Sequence, residues 1–167
     1  MFAKQYRLLA LVDALGKIKG RKKLQKIVHL LEHSGTDFFS KYEYHHYGPY
    51  SSDLQMEVND LYDQGFLDES MENETYCYSI TERGKVFKSK LEQKSQNDVR
   101  FNFPSEHASN MNEKSSQFLE VVSTYAYLLD TGYQTSDAYD KTNELKPHLK
   151  HLLNQAVEYY NYQLLRE

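Results

Sequence analysis

Hydrophobic residues in the first fifth of the chain recur at helical spacing and predict two helices. In each set the apolar positions fall at i, i+3, i+4 and i+7, so that they share one face of a helix. The sets are Leu8, Leu11, Val12 and Leu15, then Leu24, Ile27, Val28 and Leu31. Gly16 predicts the end of the first helix, and the second is expected over residues 21–33, ending before Gly35.

The polar side of the second predicted helix is basic. Lys22, Lys26, His29 and His33 also follow one another at helical intervals. Two interpretations stay open at this point. The residues form a solvated face, which is ordinary for lysine on a helix, or they contact a phosphate group or an acidic protein.

The next segment predicts a strand, a turn and a capped helix. Polar and aromatic residues alternate over 41–47, which is typical of a strand. Gly48 and Pro49 predict a turn. A helix should follow, capped by Ser51 or by Ser52, and Ser52 with Gln55 fits a capping box. Its inward residues are expected to be Leu54, Val58 and Leu61, with Tyr62 as a further candidate, and Gly65 should end it.

A short hairpin and another helix complete this part of the chain. One strand begins at Phe66, Asn73 lies at the predicted tip, and residues 76–80 return as the second strand. Thr81 then caps a helix over about 82–91. Helix, helix, helix and hairpin in this order predict a winged-helix-like domain over residues 1–92.

Composition changes after this domain. Residues 93–114 are rich in polar side chains and contain Pro104, so they are interpreted as a linker or surface loop. Residues 115–167 again carry apolar stripes at helical spacing, with Pro147 in the first turn of the last helix. This helical region is expected to pack on the first domain or on a second subunit. The predicted fold class is mainly α (α+β), with a small antiparallel sheet.

Charge is distributed unevenly along the chain. Residues 42–82 contain ten Asp or Glu and no Lys or Arg, whereas residues 4–26 contain eight Lys or Arg and one acid. The predicted DNA-reading helix and wing are therefore anionic. Winged helices that bind DNA need cations there, because phosphate contacts supply much of their affinity.

Several classes of function find no support in the residues. The single Cys77 excludes an internal disulfide, which fits a reducing, cytoplasmic compartment. The chain shows neither a leader peptide nor a membrane-spanning run. Seven histidines bring no clear ligand set for zinc, and neither a nucleophile elbow nor a phosphate loop is present. We expect no enzyme activity, no cofactor and no metal.

Several motifs resemble those of a known family. They are GRKKLQKIVHLLEHSG, HYGPYSSDL, LYDQGFLDE, YSITERGK, and towards the end FLEVVSTYAYLLDTGY and LKPHL. Together they resemble the YwgA family of bacterial proteins, and the wider Panacea and phage-associated GepA-type domains. The resemblance implies a winged-helix-like fold. Panacea-type domains are found as antitoxins that bind and neutralise toxins, so it also implies a protein partner.

Two hypotheses for function follow. The first is a non-enzymatic regulatory module, toxin-neutralising or transcription-related, that binds a protein through an acidic, tyrosine-rich surface. The candidate residues for that surface are Tyr47, Tyr50, Asp53, Glu57, Asp60 and Asp63. The alternative is a DNA-binding regulator that uses the basic 17–26 segment through Arg21, Lys22, Lys23 and Lys26. A homodimer is compatible with either hypothesis.

Overall fold

The computed structural model describes residues 2–94 and 101–165. It confirms a mainly α fold with a small antiparallel sheet. The helices are α1 (Ala3–Leu15), α2 (Arg21–His33), α3 (Ser52–Asp63), α4 (Glu82–Lys94), α5 (Ser105–Glu113), α6 (Ser116–Asp130), α7 (Thr135–Leu145) and α8 (Leu153–Tyr159). A 3-10 helix (Pro147–Leu152) precedes α8, and a π-helical turn (Tyr160–Leu164) follows it. The strands are β1 (Ile18–Lys19), β2 (Glu43–His45), β3 (Gly48–Tyr50), β4 (Leu67–Glu72) and β5 (Thr75–Ile80).

The first half of the chain has winged-helix topology. Strand β1 lies between α1 and α2 and pairs with β5, which pairs with β4, so the sheet order is β1-β5-β4. Asn73 and Glu74 connect β4 to β5 with positive φ angles of 49° and 64°, as a two-residue turn between twisted strands requires. The predicted position of Asn73 at the tip of the hairpin is confirmed.

A second hairpin, β2–β3, is inserted between α2 and α3. Gly48 and Pro49, predicted as a turn, instead belong to strand β3, where they pair with His45 and Tyr44. The reversal itself falls at His46 and Tyr47. Proline is tolerated in this strand because a two-stranded hairpin has an outer edge at which no N–H donor is needed.

Helix α3 begins one residue earlier than a capping box at Ser52 requires. Ser51 is the N-cap, and its Oγ accepts a hydrogen bond of 3.2 Å from the backbone N–H of Leu54. The predicted box does not form, since the side chain of Gln55 donates to Asn59 instead. Asp53 lies in the first turn, where a carboxylate is favoured by the helix dipole.

The segment predicted as a linker or surface loop, residues 93–114, contains a helix, so the prediction is wrong for that stretch; residues 95–100 lie outside the described residues. Helix α5 begins directly after Pro104, and it buries Ala108 and Met111 completely. It packs on α1 and α2. Only two of its side chains reach the core, so its apolar stripe is too narrow to be recognised in the sequence.

The C-terminal helices pack on the first domain of the same chain. Helix α6 lies against α2 and strand β3, and α7 and α8 cover its other side. Because α6 is enclosed, eight consecutive residues (119–126) are buried, including Glu120, Ser123 and Thr124. One hydrophobic core therefore contains residues from both halves of the chain.

Candidate functional site

The predicted basic face of α2 is corrected, since Lys26 and His29 are buried while Lys22 and His33 are partly exposed. Lys26 and His29 are only 2% and 3% exposed, because α6 covers this side of the helix. The Nδ1 of His29 lies 2.6 Å from the Oγ of Ser123. Burial lowers the pKa of His29 to about 3, and the nearby His33 and Lys26 act in the same direction, so the ring is neutral at pH 7.

The four predicted basic residues each have a partner within the chain. Arg21 donates to the hydroxyl of Tyr78 over 3.1 Å, and Lys22 donates to Glu120 over 2.7 Å. The remaining two bond to backbone carbonyl oxygens: Lys23 to Asn112 over 3.0 Å, and Lys26 to Pro49 over 2.6 Å. The structure therefore uses all four in tertiary contacts.

Glu120 is the centre of a buried charge cluster. Its carboxylate lies 2.7 Å from the Nζ of Lys22 and 2.8 Å from the Nζ of Lys146, which also donates to the carbonyl oxygen of His46. Burial acts to raise the pKa of Glu120, but the hydrogen bonds from the two lysines outweigh it and hold the pKa below its usual value. Glu120 is therefore ionised at neutral pH.

Lys26 belongs to the same cluster. Burial lowers its pKa to about 7; Glu120 acts to raise the pKa, while Lys22 and Lys146 lower it further. We therefore define the basic cluster as Lys22, Lys26, Lys146 and Glu120. It contains three amino groups but only one carboxylate, and it joins α2 and α6 to the hairpin that precedes α3.

A cavity of about 410 Å³ opens beside this cluster, between α2, the β2–β3 hairpin and the start of α3. Tyr47 and Tyr50 line it together with Arg21, Lys22 and Lys26. The Nζ of Lys22 lies 4.8 Å from the centre of the Tyr47 ring. The structure thus brings the two predicted tyrosines together with three of the four predicted basic residues.

The predicted acidic residues of α3 form a separate, exposed surface. Asp53, Asp60 and Asp63 are exposed, and none of the three lies within 4 Å of a cationic group among the described residues. Glu57 is partly buried, which raises its pKa. We call Asp53, Asp60, Asp63 and the exposed side chains between them the acidic face of α3.

Sequence reasoning missed an apolar member of this face, Met56, which is 63% exposed. The expectation that Tyr62 faces the core is wrong, since it is 45% exposed. Tyr62 lies on the opposite side of α3 from Asp53 and is not part of the acidic face. An unbranched apolar side chain among acids, as Met56 is, was the available signal for a contact surface.

The acidic wing, in contrast, is partly neutralised. Lys17 donates to Glu72 over 2.9 Å, and Arg21 lies 3.6 Å from Glu69. The basic segment before α2 therefore folds against the wing, and much of the charge asymmetry in the sequence is compensated internally. Asp53, Asp60 and Asp63 of α3 have no such partner among the described residues.

The described residues provide neither a metal-binding cluster nor a membrane-spanning helix. Within residues 2–94 and 101–165, no three His, Cys, Asp or Glu side chains are grouped closely enough to hold a metal ion. None of the helices in these ranges has the length and apolar character needed to cross a membrane. Cys77 is buried and is not paired with another cysteine.

Topology and surface together define a winged-helix-like protein with an acidic α3 and with α2 covered by a helical C-terminal region. No family model matches the chain. It is 31% identical over 166 residues to an uncharacterised protein, YwgA, of Bacillus subtilis (strain 168). The match covers 97% of this chain and 95% of that relative, so the chain belongs to the YwgA family.

Proposed function

We propose that this chain is a non-enzymatic regulatory module that binds a protein through the acidic face of α3. The observation that carries this proposal is the exposed position of Asp53, Asp60 and Asp63 without compensating cations in the described chain. The partner is a protein with a basic surface, either a toxin that is neutralised or a component of the transcription apparatus. We place this activity in the cytoplasm.

Electrostatics favours a protein over DNA at this face. In a winged helix the third helix enters the major groove, where it would bring these carboxylates towards phosphates. A basic protein surface is the complementary partner, since opposite potentials steer association and select against other partners. Met56, which lies among these acids, adds the apolar contact area that protein interfaces use at their centre.

DNA binding through the 17–26 segment is the competing hypothesis, and the winged-helix topology is what favours it. The contacts that the cations of this segment make within the chain argue against DNA binding. Lys17 and Arg21 pair with the wing, and Lys22, Lys23 and Lys26 bond to α6, α5 and β3. The cations point towards different elements and Lys26 is buried, so they do not form the single exposed surface that a DNA duplex would contact.

Site-specific photocrosslinking tests the proposal. A photoreactive amino acid replaces Met56 on the acidic face, and a control protein carries it at Asn143, an exposed position on α7. After irradiation in cells of the source organism, we expect a discrete protein adduct from position 56 only. Identical adducts from both positions, or none from position 56, contradict the proposal.

A DNA-binding arm separates the two hypotheses. A gel-shift series with genomic fragments at several salt concentrations is run with the wild type and with an R21E/K23E variant. We expect no sequence-selective shift. Selective binding that is lost in R21E/K23E would transfer the function to the basic segment and overturn the protein-binding proposal.

A further inference from the structure

The cavity between α2 and the β2–β3 hairpin has the features of a small-molecule binding site. We propose that it binds a small phosphate monoester with an aromatic ring, of the nucleoside monophosphate class. This inference does not rest on the protein-binding proposal, since the cavity and the acidic face of α3 consist of different residues. Its volume of about 410 Å³ falls within the range of about 300–1,000 Å³ that is typical of small-molecule sites.

The charge of the cluster is the first argument. Buried charges are normally paired, but the cluster has one carboxylate, Glu120, for three amino groups. Lys22 and Lys146 both contact Glu120, whereas Lys26 donates to the carbonyl oxygen of Pro49. When all three lysines are protonated, the cluster carries an excess of two positive charges. A phosphate monoester carries about −1.5 to −2 at pH 7, and it would balance that excess.

The access to this charge is the second argument. Lys22 and Lys26 both line the cavity, and Arg21 lies at the same wall with its side chain about half exposed, 47%. The residues that line the cavity include no Asp or Glu, so its lining carries no negative charge. Glu120 lies behind Lys22 and is 1% exposed.

The aromatic lining is the third argument. The rings of His45 and Tyr50 lie 4.9 Å apart at an angle of 31°, and Tyr47 is 58% exposed at the same opening. Stacking on such rings is how proteins hold a base without reading its identity, and it is worth about 1–3 kcal/mol per base. A ligand that combines phosphate with an aromatic ring uses both parts of this lining.

The wall of the cavity is also held in place before any ligand arrives. The side-chain amide of Gln25 donates to the carbonyl oxygen of Ser51 over 2.8 Å, and its Oε1 accepts from the N–H of Ser51 over 2.9 Å. This reciprocal pair fixes α2 to the start of α3. Preorganisation of this kind reduces the ordering that binding would otherwise require.

Isothermal titration calorimetry on the full chain at pH 7 provides the test. The probes are AMP, GMP, CMP and UMP, with adenosine and inorganic phosphate as partial ligands. We expect at least one monophosphate to bind, at least 10-fold more tightly than adenosine or inorganic phosphate. The absence of binding by all four monophosphates, or equal binding of adenosine, overturns the proposal.

Matched variants locate the site. K26M removes an amino group of the basic cluster, and R21Q removes the positive charge at the opening of the cavity. K19Q is the control, since it removes one charge from β1 outside the cavity. We expect R21Q and K26M each to weaken binding at least 10-fold and K19Q to leave it unchanged. Circular dichroism verifies folding, and R21Q keeps the test decisive if K26M does not fold. Unchanged binding in folded R21Q contradicts the assignment.

Discussion

The Nζ of Lys26 lies 2.6 Å from the carbonyl oxygen of Pro49 and thereby ties α2 to the hairpin that precedes α3. Glu120 and Lys146 extend the same connection to α6 and to the loop before the 3-10 helix. The hairpin that leads into α3 is therefore bonded both to α2 and to the C-terminal half of the chain.

The buried amine of Lys26 predicts that stability changes with pH. Its pKa is about 7 in the folded protein and about 10.4 in an unfolded chain. Between these values the unfolded state binds more protons, so the free energy of unfolding rises with pH, by at most about 1.4 kcal/mol per pH unit. We expect urea unfolding of the wild type to show this rise between pH 7 and 9, and K26M to lack it.

The control for this experiment is K90M, which removes an exposed lysine from α4. Its stability should follow the pH dependence of the wild type. If the free energies of unfolding of K26M and of the wild type change with pH in parallel, Lys26 does not titrate in this range. Its amino group is then more solvated than the structure indicates.

Replacing Gly48 by alanine should cause a steric clash, and the cost of this clash can be measured separately from the cost of backbone strain. The φ of Gly48 is +92°, and a Cβ there would lie 3.0 Å from the Oγ1 of Thr124. Gly35, with φ +110° and no atom within 4 Å, is the matched control. We expect G35A to cost about 1–2 kcal/mol from strain, and G48A to cost about 1–3 kcal/mol more.

A double-mutant cycle measures the clash itself. In a T124A background, which lacks the contacting Oγ1, G48A should cost no more than G35A does in the wild type. Thermal or urea unfolding supplies the four free energies. A full G48A penalty in the T124A background would show that Thr124 is not the obstacle.

Glu120 predicts a large loss of stability when its charge is removed. E120Q leaves Lys22 and Lys146 without their buried carboxylate, and breaking such a pair costs about 3–5 kcal/mol. E144Q, which removes an exposed partner of Lys141, should cost less than about 1 kcal/mol. Comparable losses in the two variants would mean that the cluster is solvated.

The raised pKa of Glu32 predicts that the free energy of unfolding falls with pH over a lower pH range, opposite to the effect of Lys26. Burial raises the pKa of this carboxyl from 4.5 to about 7, although hydrogen bonds from the N–H groups of Ser40 and Phe38 act to lower it. Because the folded state binds the proton more strongly, stability is lost as pH rises from about 4.5 to 7. E32Q keeps an acceptor oxygen, so it should unfold without this loss, whereas E113Q should behave like the wild type.

Some elements were predictable from the sequence because local pattern determines them. The stripes of α1 and α2 and the turn at Asn73 and Glu74 each carry their own signal. No local sequence pattern signals the burial of Lys26. It arises because a helix about 90 residues further along the chain covers the polar side of α2. The fold class and the family were accessible from motifs, whereas the cavity joins residues from α2, two strands and α3, and only the fold brings these together.

The charge of the acidic face was predictable, but its extent was not. The sequence places ten acids over residues 42–82. Only the structure shows that Lys17 and Arg21 neutralise part of the wing and that Tyr47 and Tyr50 line the cavity instead. Ion pairs between residues about 50 positions apart leave no periodic signal in a sequence.

The most direct measurement is the affinity of the crosslinked partner, purified, for two variants that lose the same charge. D53N/D60N/D63N removes three acids from α3, and D137N/D140N/E144Q removes three from α7. We predict that the α3 variant binds at least 10-fold more weakly than the wild type, that the difference shrinks with added salt, and that the α7 variant binds normally. Equal affinities for the two variants would contradict the account.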